Sequence, residues 1–257
     1  MSRATRSRKV RRSHPLVRQE AFHFLELLVV IATIVVPVAM LLLATVQARE
    51  HAHLIACASN MRRIHLGLMS YAAQNDGELP IPAFSWDPQG PGVRWAIHVD
   101  AVGQYSWTAG SLWRCLPGGP EDHARQFMCP ADASDQLNGA QYGNSSGGYS
   151  RNFSYNLNVW MRGGSSPAWQ TPLGSGGIRL RQIADPAEKI LIAEERYPHD
   201  GCFDGYWPLA ARHLHKGNQC FADGHVELFD PSPFAVLRPF DNTSPTVTKY
   251  VRLTAGQ

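Results

Sequence analysis

The chain has 257 residues, of which 44% are apolar, 10% aromatic and 18% charged, with 24 Lys+Arg against 21 Asp+Glu. That is enough for one sizeable domain with an appendage or for two small domains, and the aromatic content with so low a charged fraction excludes wholesale disorder. Seven basic residues (Arg3, Arg6, Arg8, Lys9, Arg11, Arg12, Arg18) fall in the first eighteen positions; the remainder is mildly acidic, which excludes a generally basic nucleic-acid binder. Five scattered cysteines exclude a disulfide-framework miniprotein.

Behind the basic cluster, residues 27–46 read LLVVIATIVVPVAMLLLATV, twenty positions without a charge. As a helix rising about 1.5 Å per residue they span roughly 30 Å, the thickness of a bilayer's hydrocarbon. The cluster orients such a segment with its N-terminus in the cytoplasm and the rest of the chain outside. Three fates are open to it. It can stay as a plain anchor, it can be cleaved as a secretory signal after Val46-Gln47-Ala48, or it can be processed at its cytoplasmic edge. A secretory signal has an apolar core of about 7–15 residues, shorter than this one. Glu26 stands immediately before the run, and a carboxylate at the bilayer centre costs on the order of 2.5–3.5 kcal/mol, less near the interface. Such an acid calls for a partner. Pro37 removes a backbone hydrogen bond inside the span.

The helix continues outward. Leu54, Ala58, Met61, Ile64, Leu68 and Tyr71 recur at three- and four-residue steps, one helical face, while Asn75-Asp76-Gly77 and Pro80 stop it. A single helix is therefore expected over about residues 24–74, its outer half packed on the sheet that follows. Beyond Pro80 the pattern becomes short apolar runs between Gly, Pro, Asn and Ser, with strands expected over residues 93–99, 153–161, 189–193 and 219–229. Residues 136–150 and 162–177 are Gly/Ser-rich loops, and Asp185-Pro186-Ala187-Glu188 is a turn into the strand Lys189–Ala193. The fold class is α+β: one long helix and an antiparallel sheet with large loops. The divisions are residues 1–21, 22–48, 49–79 and 80–257.

One hairpin is expected in detail. Asp223-Gly224 between apolar runs points to a type I′ turn, which needs φ > 0 at both central residues. That register sets Phe221 opposite Val226 and Cys220 opposite Glu227.

Outside the cytoplasm thiols oxidise, so Cys115–Cys129 and Cys202–Cys220 are the candidate bridges, with Cys57 left on the helix as a small packed residue. His199, Asp200, Asp204, His213, His215, Asp223 and His225 form the one histidine/acid set that could ligate zinc, His213 and His215 sharing a strand face. No metalloprotease, Cys-x-x-Cys or nucleophile-elbow motif accompanies it. We therefore expect no metal site and no catalytic residues.

The stretch 21–48, with Ala21-Phe22-His23-Phe24-Leu25-Glu26 at its head, resembles the cleavage and methylation motif of type IV prepilins and type II secretion pseudopilins. The resemblance implies cutting by prepilin peptidase between Ala21 and Phe22, N-methylation of Phe22, and Glu26 as the fifth mature residue, poised to pair with a neighbouring subunit's amino terminus. Ala21 replaces the family's usual Gly, which implies slower processing, and His23 replaces a Thr or Ser. Further along, His213, nine intervening residues and then Asp223-Gly224 are similar to the H-X9-DG domain of prepilin-like proteins. Cys57-Ala58-Ser59-Asn60, Gly110-Ser111-Leu112-Trp113, Phe127-Met128-Cys129-Pro130-Ala131-Asp132, Ser154-Tyr155-Asn156 and Phe221-Ala222-Asp223-Gly224-His225-Val226 match that group in order. The likeness covers residues 21–229.

What it implies is a type IV pilin-like fold and a structural subunit of a pseudopilus or filament rather than an enzyme. It would reside in the cytoplasmic membrane, with the lipid bilayer, the peptidase and similar subunits as partners and without nucleic acid. No cofactor is implied; a structural calcium on loop carboxylates, as some pseudopilins carry, is the one ion it would admit, and no dense Asp/Asn loop marks a site. The alternative is a membrane-anchored extracytoplasmic binding module that does not polymerise, and a metal-dependent envelope enzyme stands third.

Overall fold

The structure, a computed structural model, describes residues 24–82, 92–93, 98–99, 105–106, 110–132, 154–158, 161, 177–194, 202–203, 209–234 and 249–251. The expected loops at 136–150 and 162–176, the peptidase site Ala21-Phe22, and His199, Asp200 and Asp204 lie outside them. The chain falls into two units, divided between Val46 and Gln47.

Helix α1, Phe24–Gln74, is a single 51-residue element containing Pro37. In the first unit its large apolar side chains, from Phe24 to Val46, stand exposed. Thr33 and Thr45 turn their hydroxyls back onto the carbonyls of Val30 and Leu42 at 2.8 and 2.7 Å, so even these polar atoms make their bonds within the helix. This helix is long and apolar enough to cross a membrane, and its most apolar stretch is exposed throughout.

In the second unit α1 buries Cys57, Met61, Ile64, Leu68 and Ala72, positions four, three, four and four apart. Leu54 and Tyr71 of the expected stripe are only half-buried. The helix ends as its sequence dictates: Asp76 and Gly77 take φ of 51° and 79°, and the Gly77 N–H donates to the Ala72 carbonyl at 2.8 Å.

A small antiparallel sheet joins β1 (Gly92–Val93), β2 (His98–Val99) and β3 (Tyr105–Ser106). The single strand expected over 93–99 is thus two short strands, with Val93 opposite His98. Helix α2, Pro120–Gln126, was not anticipated, although its signals are plain: proline at the first position, then Glu121 and Asp122 in the first turn.

The main sheet is built from β4 (Tyr155–Asn158), β5 (Ile190–Glu194), β6 (Cys202–Phe203), β7 (Gly217–Phe221) and β8 (Val226–Phe229) in the order β6-β4-β5-β7-β8. Strands β4, β5, β7 and β8 are antiparallel, while β6 joins the β4 edge in parallel, so the sheet is mixed rather than purely antiparallel. The α+β class holds. Every residue of β5 is buried, and the core joins Met61, Ile64 and Leu68 of α1 to Tyr155, Leu157, Ile190, Ile192 and Phe221 of the sheet.

The hairpin exists, but its register differs by one residue: Cys220 pairs with Val226, and Gln219 with Glu227. The cause is the turn. Gly224 alone among its residues has positive φ, 95°; its N–H donates to Phe221 O, and the Phe221 N–H donates to His225 O. That is a three-residue turn closed by a left-handed glycine, not the two-residue type I′ turn. Asp223 instead accepts the His225 N–H at 3.1 Å, the local bond that aspartate favours in turns. Two positive φ angles in succession occur at the other end of β7, at Leu214 (51°) and His215 (63°), where His213 and Lys216 exchange backbone hydrogen bonds.

Neither expected disulfide is formed; Cys115, Cys129 and Cys220 are free thiols. Cys202 on β6 and Cys220 on β7 have β4 and β5 between them. Three strand spacings of about 4.8 Å put them far beyond the reach of a disulfide. Cys115 lies beside Gln74, whereas Cys129 lies beside Cys57; seventeen residues separate those two positions on α1, roughly 25 Å of helix.

Leu214 occupies the left-handed region without need of its side chain, which is half-exposed. Leu214→Gly should therefore raise stability by about 0.5–1 kcal/mol, and Leu214→Val should lower it by about 1 kcal/mol. Gly224→Ala should cost about 1–3 kcal/mol, since its Cβ would also meet the His65 ring at 2.8 Å. Denaturant unfolding of the full chain in detergent, followed by tryptophan fluorescence, measures all three.

Candidate functional site

Four side chains from four separated segments converge where α1 meets the sheet. Cys57 comes from α1, Glu194 from the end of β5, Cys129 from the turn after α2, and His213 from the segment leading into β7. One sulfur, oxygen or nitrogen atom from each lies within 4.8 Å of all the others. None is more than 2% exposed.

Cys57 Sγ–H donates to Glu194 Oε1 at 2.6 Å. His213 Nε2 lies 3.2 Å from the same oxygen and 3.3 Å from Cys129 Sγ. The second carboxylate oxygen, Oε2, accepts the Asn218 backbone N–H at 2.7 Å, and the Glu194 N–H goes to Gln219 Oε1 at 3.2 Å. At this point side chains replace the β5–β7 backbone ladder. A buried charge is tolerated only with such a full set of partners.

Burial works against the Glu194 carboxylate, yet the His213 hydrogen bond and the Arg212 charge hold its pKa below the usual carboxylate range. Burial also works against the His213 cation, and hydrogen bonds to Cys129 and Glu194 outweigh it, holding the imidazole at about 9. The two thiols diverge. Burial pushes Cys57 far upward, while Cys129 is drawn down to about 7, chiefly by its hydrogen bond with Cys57. The arrangement is therefore a carboxylate, an imidazolium and two unequal thiols sharing protons in a closed space.

A further ring of contacts fixes it. The Cys129 N–H donates to Ser154 Oγ at 3.0 Å, and the Ser154 hydroxyl donates to Asp132 Oδ2 at 2.7 Å. Arg212 pairs with Asp132 at 2.9 Å. Tyr155, opposite Glu194 on β4, is buried, with its hydroxyl beside the Cys57 thiol.

Of the expected histidine/acid set, His213, His215, Asp223 and His225 are among the described residues, and of these four His213 alone reaches this cluster. Leu214 and His215 form the left-handed turn, so His215 points out and shares no strand face with His213. Asp223 and His225 pair with each other at 2.6 Å on the exposed hairpin. Cys57 is packed, as expected, but against polar partners. Glu194 was missed, although an acid closing the apolar strand Ile190–Glu194 is the visible signal.

A low-pKa thiol beside an imidazole has the makings of a nucleophile. Cys129 has no access to a substrate here, because all four groups are sealed in the core. The geometry ties α1, the turn after α2 and the sheet together through four buried side chains. Comparison with family models, with characterised proteins and with solved structures finds no match to this chain.

Glu194→Gln and His213→Gln should each destabilise the protein by about 3 kcal/mol, and in a double-mutant cycle their effects should couple by more than about 1 kcal/mol. His225→Gln, in the exposed pair, should stay within about 0.5 kcal/mol of the parent. Thermal unfolding of the purified variants reads these differences.

Proposed function

We propose that the chain is a prepilin-like, single-pass membrane protein, cut before Phe22 and serving as a structural subunit of a pseudopilus or type IV-like filament. The observation that carries this reading is the single helix α1, with an apolar half exposed along its whole length and a second half built into a globular α+β unit. A soluble protein gains nothing from presenting twenty apolar residues to water; a subunit that moves from a bilayer into a stack of like helices keeps them covered in both places.

Glu26 fits the same reading. It lies in the first turn of α1, four residues beyond Phe22. Cleavage there would expose an α-amino group, cationic at neutral pH, at the membrane face, where a neighbour's Glu26 offers neutralisation. Two charges that are each costly at that depth are tolerable as a pair. The basic leader keeps the processed end on the cytoplasmic side, which leaves the globular unit outside.

Mass analysis of N-terminal peptides from native membranes tests the processing step. The expected first residue is an N-methylated Phe22. A start at Arg49 overturns the filament reading in favour of a released secretory protein, and an uncut leader favours an anchored binding module. Glu26→Ala should leave membrane insertion intact and reduce recovery of the protein in sheared filaments at least tenfold.

A further inference from the structure

We propose that Cys57, Cys129, Glu194 and His213 bind one Zn2+ ion in a closed, four-ligand structural site that clamps α1 to the sheet. The inference stands apart from processing at Phe22 and would hold for a plain anchor as well.

The donor chemistry selects the metal. Two sulfurs, one imidazole nitrogen and one carboxylate oxygen form a mixed soft and borderline set that suits zinc. Calcium and magnesium require shells of oxygen. The spacing suits one ion. With bonds of about 2.0–2.3 Å, tetrahedral ligands stand roughly 3.3–3.8 Å apart. The contacts of 2.6, 3.2 and 3.3 Å, all within a 4.8 Å cluster, reach that geometry by small side-chain adjustments.

The surroundings are those of ligands held in place. The Asn218 N–H occupies Glu194 Oε2, leaving Oε1 facing the two sulfurs and the imidazole. Ser154 fixes the backbone of Cys129. His213 is set by a left-handed turn at Leu214 and His215, a conformation that costs about 1–2 kcal/mol per residue and persists only where its surroundings impose it. The Tyr155 hydroxyl lies beside the Cys57 thiol, which becomes a stronger acceptor for it as a thiolate. Binding displaces the two thiol protons and the His213 Nε2 proton to solvent. No fifth position opens to water, which makes the site structural rather than catalytic.

The test uses the full chain, purified from membranes in detergent without chelator, with metal measured by mass spectrometry and thiols by non-reduced peptide mapping. We expect about one zinc per chain. Cys57→Ser and His213→Gln should lower metal content at least tenfold, while Cys115→Ser and Cys220→Ser retain it. Cobalt exchanged into the parent protein should give the intense visible bands of a tetrahedral ion and thiolate charge transfer, a readout that does not depend on whether any variant folds. Chelation should lower the melting temperature by roughly 10 °C, with recovery on adding zinc but not calcium. Three results overturn the proposal: a Cys57–Cys129 disulfide in the native protein, free thiols with under about 0.1 equivalent of metal after reconstitution with zinc, or full metal retention without Cys57.

Discussion

The carboxylate of Glu194 is a charge with no route to water, and much of the second unit is arranged around it. It closes the central strand β5, whose other residues are Ile, Leu, Ile and Ala. A backbone N–H, a thiol and an imidazole satisfy it from three directions, carried by β7, α1 and the approach to β7. Removing an ion from water costs several kcal/mol even after relaxation, so each partner must hold its place for the fold to tolerate the charge. Glu194 thereby converts the general attraction of apolar faces into a requirement for one arrangement of helix and sheet.

The same requirement explains the spacing between His213 and Asp223-Gly224. Strand β7 is held to α1 near both ends: Asn218 Nδ2 donates to the Leu54 carbonyl, and His65 meets the Ala222 carbonyl. Leu54 and His65 are eleven residues apart, about 16 Å of helix. Asn218 and Ala222 are four residues apart, about 13 Å of strand. A strand of that length laid along the helix brings His213 to Cys57 at one end. At the other it sets Gly224 against the His65 ring, where a side chain would collide. The motif thus specifies a strand length and a close approach, rather than a ligand pair within the hairpin.

The elements whose periodicity is local were legible from sequence: the 51-residue helix, its stop at Asn75-Asp76-Gly77, the strand after Asp185-Pro186, and the existence of the β7–β8 hairpin. Asp223-Gly224 does not by itself separate a two-residue turn from a three-residue turn closed by glycine, and that one residue moved every cross-strand pair. The site was less legible. Each donor is a single residue in its own segment, so no ligand spacing exists to read. Cys57 reads in the sequence as a small packed residue, in phase with Met61, Ile64 and Leu68, and nothing local marks it as a partner of an acid and an imidazole. The segments around Cys57, Cys129, Tyr155 and His213 stand far apart in the sequence; only the topology brings them to one place.

That convergence also answers how a long helix keeps its register on the sheet. Met61, Ile64 and Leu68 are fully buried, each worth about 1.5–3 kcal/mol, but apolar burial is non-directional, and a helical face repeats nearly every turn. A slip of one turn would put Met61 or His53 where Cys57 lies, leaving Glu194 without its thiol donor. The same slip would break the bond of the Asn60 side chain to the Met128 carbonyl and carry the His65 ring away from the Ala222 carbonyl. Several directional bonds spaced along α1 fail together, while the apolar contacts would partly re-form. The polar contacts therefore select the register, and the apolar ones supply most of the affinity.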